Sequence, residues 1–104
     1  DPNRWIDDFT ALSPELIDFL ARRKVQLVGI DTPSVDPANS KALESHQALF
    51  RTGMAVLEGL ALQNIAPGLY TLIALPLKIV GADAAPVRAV LIQEDRPSSR
   101  LLDA

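Results

Sequence analysis

The first regular pattern in the chain is helical, because apolar residues recur every three to four positions over residues 16–21. Ser13 supplies an N-cap hydroxyl, Pro14 presets φ at the first helical position, and Glu15 places an acid in the positive first turn. Basic residues over 22–24 suit the negative carboxyl end of a helix. The pattern predicts one amphipathic helix that starts after Ser13.

A short apolar run, Val25 to Ile30, follows this helix and is rich in β-branched residues. That composition is typical of a buried strand. A helix followed by a buried strand indicates an α/β arrangement.

The central stretch, Ser40 to Leu60, combines a polar start with an apolar end. We predict a short helix near Glu44 to Arg51, a turn at Thr52 and Gly53, and an extended segment from Met54 to Gly59. Glycine is the residue best able to reverse the chain there.

The last third of the chain alternates well enough over Leu69 to Val80 to predict a long strand, in which Pro76 favours an edge position or a bulge. Residues 87–92 predict a return strand, so the two form a hairpin. Arg88 within the return strand is interpreted as a paired or snorkelling side chain. Residues 94–104 are charged and contain Pro and Ser, which predicts a flexible tail.

Length and composition predict one domain over residues 1–104 with a single core. Hydrophobic residues make up 48% of the chain and charged residues 22%, a balance that argues against disorder. The chain opens with Asp1 rather than Met, so we expect an upstream portion.

The charge pattern argues against two classes of partner. A net charge of −3 with scattered basic residues gives no footprint for nucleic acid or for anionic lipid. The longest uncharged run, residues 59–77, is broken by prolines and a glycine, which disfavours a membrane span. The chain contains no cysteine, which fits a reducing compartment, so the expected location is the cytoplasm.

Two residues in the central stretch are candidate metal ligands: His46, which is the only histidine, and Glu58, which lies in an apolar run. In one continuous helix their side chains would lie about 18 Å apart along the axis, too far to share an ion. Joint ligation therefore requires the chain to fold back between them, and Gly53 best allows that. The alternative is that His46 is an ordinary surface or hydrogen-bonded core residue.

The polar loop at residues 31–40 has two open interpretations. Its Asp, Asn, Ser and Thr side chains, among them Asp36, are suited to bonding nearby backbone and ordering the loop. A polar loop that leaves the end of a buried strand also often borders a site in α/β folds. The sequence does not choose between the two.

Four blocks of the sequence stand out in order along the chain: LVGIDTPSVDPANSK, the His46 segment, GMAVLEGL and PGLYTLIALPLKIVGADAAPVRAVL. In this order they resemble the C-terminal half of the bacterial kynurenine formamidases, which belong to the cyclase family of metal-dependent amide hydrolases. The resemblance implies a cyclase-like swivelling β/β/α fold, in which a mixed β-sheet has flanking helices and only its C-terminal half is present here. It implies a homodimer as well.

The resemblance also implies a site. His46 and Glu58 match two family metal ligands, with the other nitrogen of His46 held by an acceptor. The complete site would hold two zinc ions, with Mn²⁺ as an alternative, and would hydrolyse N-formyl-L-kynurenine to L-kynurenine and formate in tryptophan degradation. The family's HxGTHxDxPxH segment is absent from this chain, so we expect the remaining ligands in a missing N-terminal half. Gln47 and Ala85 depart from residues that many relatives carry, which leaves the exact substrate open.

Two rival functions remain. One is hydrolysis of another aryl or cyclic amide, such as an isatin-type lactam. The other is a non-catalytic interaction domain that keeps the fold without the site. For either, strands that lack their neighbours would leave open edges and apolar surface, so we expect a partner.

Overall fold

The computed structural model of the chain describes residues 4–93 and 100–104. The sequence predicts one domain over residues 1–104. In the structure, the chain divides into two compact units, Asp1–Leu60 and Ala61–Ala104.

The first unit is built from two helices and a pair of parallel strands. The elements are α1 (Pro14–Arg22), β1 (Leu27–Gly29), α2 (Glu44–Thr52) and β2 (Ala55–Leu57). Strands β1 and β2 pair in parallel, with Val28 opposite Val56. Because parallel neighbours cannot be joined by a tight turn, the chain between them has room for a loop and α2.

Helix α1 begins where the sequence predicts. The Ser13 hydroxyl accepts a hydrogen bond from the backbone N–H of Leu16 at 3.1 Å, and Pro14 is the first helical residue. Ile17, on the apolar face of α1, is fully buried. The capping signals in the sequence therefore set both the start of the helix and the face it buries.

The core of the first unit lies between the helices and the parallel strands. It is formed by seven buried residues: Ile17, Val28, Ile30, Val35, Ala48, Leu49 and Met54. Strand β1, which the sequence predicts to be buried, is only partly buried: Val28 is buried, while Leu27 is exposed. A strand of three residues with one ladder partner buries one of its faces.

The second unit is an antiparallel sheet of three strands in the order β3–β4–β5. The strands are β3 (Tyr70–Pro76), β4 (Val87–Gln93) and β5 (Arg100–Asp103). The predicted hairpin is confirmed, with Leu72 opposite Leu91. Pro76 ends β3, which is an edge strand as predicted, but the strand stops four residues before Val80.

The carboxyl end of the chain differs from the flexible tail predicted over residues 94–104. Arg100–Asp103 form β5 and pair with β4, with Leu102 opposite Leu91. A charged segment can serve as a strand because the ladder is made by backbone groups. Residues 94–99 lie outside the described residues. In the described part of the chain, no helix has the length and apolar character needed to cross a membrane.

Candidate metal centre

The chain reverses direction at Gly53, and this brings the two candidate ligands together. Helix α2 ends at Thr52, and Gly53 adopts the left-handed conformation with φ of 70°. His46 lies on α2, and Glu58 follows β2 directly. The His46 Nε2 atom lies 2.9 Å from Glu58 Oε1. The predicted fold-back is confirmed; metal ligation by the pair stays a prediction.

A third residue, Asp36, holds the other side of the imidazole. Its Oδ2 atom lies 2.6 Å from His46 Nδ1 and accepts the backbone N–H of His46 at 2.9 Å. Its Oδ1 atom accepts the backbone N–H of Ser45 at 2.8 Å. Asp36 is only 2% exposed, so these hydrogen bonds replace its contacts with water.

Asp36 is a buried carboxylate held in its charged form. Burial alone would raise the pKa of Asp36, but hydrogen bonds from the backbone N–H groups of Ser45 and His46, and from their side chains, outweigh burial and lower it. The carboxylate is therefore ionised at neutral pH and acts only as an acceptor. A proton is favoured on the Nδ1 atom of His46 that faces it.

Glu58 is held in place from the neighbouring loop. The backbone N–H of Val35 donates to Glu58 Oε1 at 3.3 Å, and the N–H of Gly59 donates to the carbonyl of Thr32 at 2.8 Å. The Glu58 side chain is 28% exposed and that of His46 is 36% exposed. Both remain accessible from outside the first unit's core.

The pair fits a divalent metal ion in the chemistry of its donor atoms. With a proton on Nδ1, the Nε2 lone pair and the Glu58 carboxylate face each other, and two acceptors this close require a proton or a cation between them. In tetrahedral geometry, nitrogen and oxygen ligands each about 2.0–2.2 Å from zinc lie roughly 3.4 Å apart. The observed 2.9 Å between Nε2 and Oε1 is shorter by about half an ångström, so a small movement of the Glu58 side chain would admit the ion. Among the described residues, no group of three or more His, Cys, Asp or Glu side chains is placed to hold a metal.

The loop at residues 31–40 combines both interpretations that the sequence left open. It is ordered by its own side chains, since Ser34 Oγ accepts the N–H of Asp36 and Ser40 Oγ accepts the N–H of Leu43. It also borders the candidate site through Asp36. Sequence reasoning named Asp36 only as a loop residue, because the spacing of 10 residues to His46 matches no periodic pattern. The only signal was its place in a polar loop after a strand.

A surface cleft of about 480 Å³ opens beside His46 on the outer face of α2. Leu43, His46 and Phe50 line it, and Phe50 is 92% exposed. An apolar cleft that includes a candidate metal ligand is a suitable place for an aromatic molecule.

The chain is similar to known proteins over most of its length. It is 60% identical over 87 residues to the kynurenine formamidase of Bordetella pertussis, covering 84% of this chain and 42% of that protein. It is 58% identical to the kynurenine formamidase of Bordetella avium over the same shares. For that of Delftia acidovorans, the identity is 54% over 90 residues, covering 86% of this chain and 43% of the relative. The chain thus spans under half the length of these relatives. No protein-family model matches it.

Two solved structures share the fold. One is described as a potential metal-dependent hydrolase with cyclase activity, with a TM-score of 0.78 and 32% identity, covering 86% of this chain and 44% of that one. The other is a predicted metal-dependent hydrolase from Bacillus stearothermophilus, with a TM-score of 0.77 and 32% identity, covering 86% of this chain and 43% of that one. The predicted α/β fold class is confirmed: the described chain contains both parallel and antiparallel strand pairs together with helices, as the predicted mixed β-sheet with flanking helices requires.

Proposed function

The chain is a relative of the bacterial kynurenine formamidases, and from this we propose that the complete protein hydrolyses an aryl formamide at a metal site to which His46 and Glu58 contribute. The single observation that carries the proposal is the 2.9 Å approach of His46 Nε2 to Glu58 Oε1. It places a borderline nitrogen donor and a hard oxygen donor at one point, which suits zinc.

The proposed reaction converts N-formyl-L-kynurenine and water to L-kynurenine and formate. A divalent metal ion supplies Lewis-acid polarisation of the amide carbonyl and activation of water near neutral pH. In this chain, His46 and Glu58 each offer one donor from a different element, so the turn at Gly53 fixes their separation. Further donors come from outside the described residues. We propose zinc as the metal, with two ions in the complete site and manganese as the alternative.

The cleft beside His46 supports an aromatic substrate. Leu43 and Phe50 offer apolar surface to a ring, while the amide of that molecule reaches towards His46. Phe50→Ala is expected to raise KM about tenfold in the complete protein with an unchanged metal content, because the loss of one aromatic contact removes roughly 1–1.5 kcal/mol. An unchanged KM would place the ring elsewhere.

The experiment that tests the function uses the complete protein. His46→Ala and Glu58→Gln are expected to lower the rate of formyl-kynurenine hydrolysis at least about 100-fold and to lower the amount of bound metal. The effect is large because each substitution removes a side chain proposed to bind the metal directly, rather than one that only contacts a ligand. The matched control is Glu44→Gln, an exposed acid on α2, which should leave both the rate and the metal content unchanged. Metal is counted by mass spectrometry on the purified variants.

Three outcomes would contradict the proposal. Full activity in Glu58→Gln would remove its assignment as a ligand. Wild-type protein that binds zinc and hydrolyses an isatin-type lactam but no formamide would establish the rival substrate. Wild-type protein that binds a macromolecular partner tightly without any metal dependence would establish the interaction domain.

We also propose that the complete protein is a homodimer located in the cytoplasm. Exposed apolar residues on the second unit, among them Leu69, Leu75 and Leu77, support a partner for that surface. The 104-residue chain alone is expected to self-associate in sedimentation velocity at high concentration. A well-folded, soluble monomer under those conditions would contradict the expected partner, and cell fractionation tests the location.

A further inference from the structure

Asp36 bonds to two consecutive residues of α2 with both of its carboxylate oxygens. Oδ1 accepts from the N–H of Ser45, and Oδ2 contacts both the N–H and the ring Nδ1 of His46. Asp36 lies in the loop between β1 and α2 rather than on the helix itself. One buried side chain therefore links the start of the helix to the imidazole.

The start of α2 explains why an outside residue is needed there. The N-cap residue is Leu43, which has no side-chain acceptor and adopts a left-handed φ of 49°. Ser45 and His46 are the second and third residues of the helix, whose N–H groups an N-cap side chain normally satisfies. Asp36 provides that cap from 9 residues before Ser45.

The contact with the ring goes beyond what capping requires. A cap needs an acceptor for backbone N–H groups, whereas the 2.6 Å contact from Oδ2 to Nδ1 acts on the side chain. Since Oδ2 also binds the backbone N–H of His46 at 2.9 Å, ring and backbone of one residue are tied to one oxygen atom. Such a tie restricts rotation of the imidazole and keeps Nε2 pointed towards Glu58.

We propose that Asp36 is a positioning residue, which holds the proton of His46 on Nδ1 and presents the Nε2 lone pair for metal binding. The inference rests on the proposed function for the identity of the site. Two carboxylates face the ring, Asp36 at Nδ1 and Glu58 at Nε2, and the role proposed for Asp36 concerns Nδ1. Acceptors of this kind on the far nitrogen of a ligating histidine fix its tautomer and orientation. Their loss typically lowers metal affinity about 10–100-fold.

The first test reads the ring directly. His46 is the only histidine of the 104-residue chain, so labelling histidine with ¹⁵N gives one pair of ring signals. In the metal-free Glu58→Gln chain, in which no carboxylate faces Nε2, the shifts of the neutral ring should report a proton on Nδ1. Adding Asp36→Asn should move the population towards the tautomer with the proton on Nε2. A Glu58→Gln chain with the proton mainly on Nε2 would overturn the proposal even if the Asp36→Asn variant failed to fold.

The second test measures metal affinity in the complete protein by competition of zinc with a chelator. Asp36→Asn is expected to bind zinc about 10–100-fold more weakly than wild type. Asp31→Asn, an exposed acid in the same loop, is the matched control and should change neither the affinity nor the ring signals. If Asp36→Asn keeps the wild-type tautomer and affinity while only the stability of α2 falls, Asp36 is a cap and the proposal is wrong.

The two tests separate this inference from the proposed function. If the wild-type complete protein hydrolyses no formamide but its His46 ring depends on Asp36, the proposed reaction fails and the positioning role stands. If the protein is an active formamidase whose zinc affinity and His46 tautomer do not change in Asp36→Asn, the proposed reaction stands and the positioning role of Asp36 fails.

Discussion

The second unit of the chain has the more apolar sequence, yet the first unit buries nearly all of the buried hydrophobic side chains among the described residues. Among the described residues, every buried hydrophobic side chain except Ala89 lies in the first unit. In the second unit, Leu69, Leu75 and Val80 are 76%, 71% and 92% exposed. An apolar sequence therefore predicts where a strand forms, while burial depends on whether another layer covers it.

Among the residues that the structure describes, the buried polar side chains, like nearly all of the buried hydrophobic ones, lie in the first unit. Asp36 and Ser45 are the buried polar residues of the described chain, and both belong to the first unit. Buried polar groups are held by specific partners, which is the condition for a site with fixed geometry. The first unit has a core that can hold a site, and the second unit has a sheet with an uncovered apolar surface.

The largest expected difference between the units comes from removing an apolar side chain. Ile17→Ala in the fully buried core should lower the free energy of unfolding of the 104-residue chain by about 2–5 kcal/mol, because it leaves a cavity. Leu75→Ala on the exposed face of β3 should change it by less than about 0.5 kcal/mol. Urea denaturation followed by circular dichroism measures both. An equal loss of unfolding free energy in the two variants would show that Leu75 is as well buried as Ile17.

A smaller difference is expected for hydrogen-bonded hydroxyl groups. The Ser45 hydroxyl donates to the carbonyl of Leu12 at 2.5 Å within the first unit, so Ser45→Ala should lower the free energy of unfolding by about 1–2 kcal/mol. The Tyr70 hydroxyl donates to the carbonyl of Ala66 at 2.6 Å at the surface, and Tyr70→Phe should have an effect below about 0.5 kcal/mol. Native-state hydrogen exchange resolves the two units. A larger loss from Tyr70→Phe would reverse the comparison.

Two glycines give the next contrast. Gly53→Ala should lower the free energy of unfolding by about 1–2 kcal/mol, because φ of 70° is unfavourable for a residue with a Cβ atom. Gly68→Ala, in the second unit, meets only ordinary contact with the Tyr70 ring at 3.6 Å and should be nearly neutral. Thermal unfolding of both variants is the measurement. A neutral Gly53→Ala would mean that the turn between the two candidate ligands tolerates another conformation.

The smallest effects are expected from the exposed ion pairs, and here the units should agree. Arg51 pairs with Asp18 in the first unit and Arg88 with Asp103 in the second, each at 2.6 Å. Removal of either pair should lower the free energy of unfolding by no more than about 0.5–1 kcal/mol, because solvent screens exposed charges. Double-mutant cycles at low and high salt test this. A coupling that persists at high salt would show that one pair is shielded.

Much of the local structure follows from the sequence because short-range signals decide it. Ser13 and Pro14 fix the start of α1, and Gly53 ends α2 within two residues of the predicted Arg51. Binding of one ion by both His46 and Glu58 would require the chain to fold back between them, and the turn at Gly53 brings the two side chains together. The interpretation of Arg88 as a paired side chain is confirmed by Asp103.

Features that no periodic pattern encodes were not predictable from the sequence. Asp36 reaches Ser45 and His46 only because of the path that an irregular loop takes, and no periodic spacing encodes such a path. The strand β5 was missed because its pairing depends on backbone registration with β4 rather than on an apolar pattern. The exposure of β3 likewise depends on a covering layer that a strand's own residues do not specify.

The turn at Gly53 also bears on how quickly the candidate site assembles. Asp36 and Glu58 approach His46 from 10 and 12 positions away along the chain, so short segments close the whole cluster. Segments of about ten residues close within roughly 10–100 ns, and the entropy lost on closure is small. During folding, the cluster can therefore form from contacts that are close in sequence, without a slow search for distant ones.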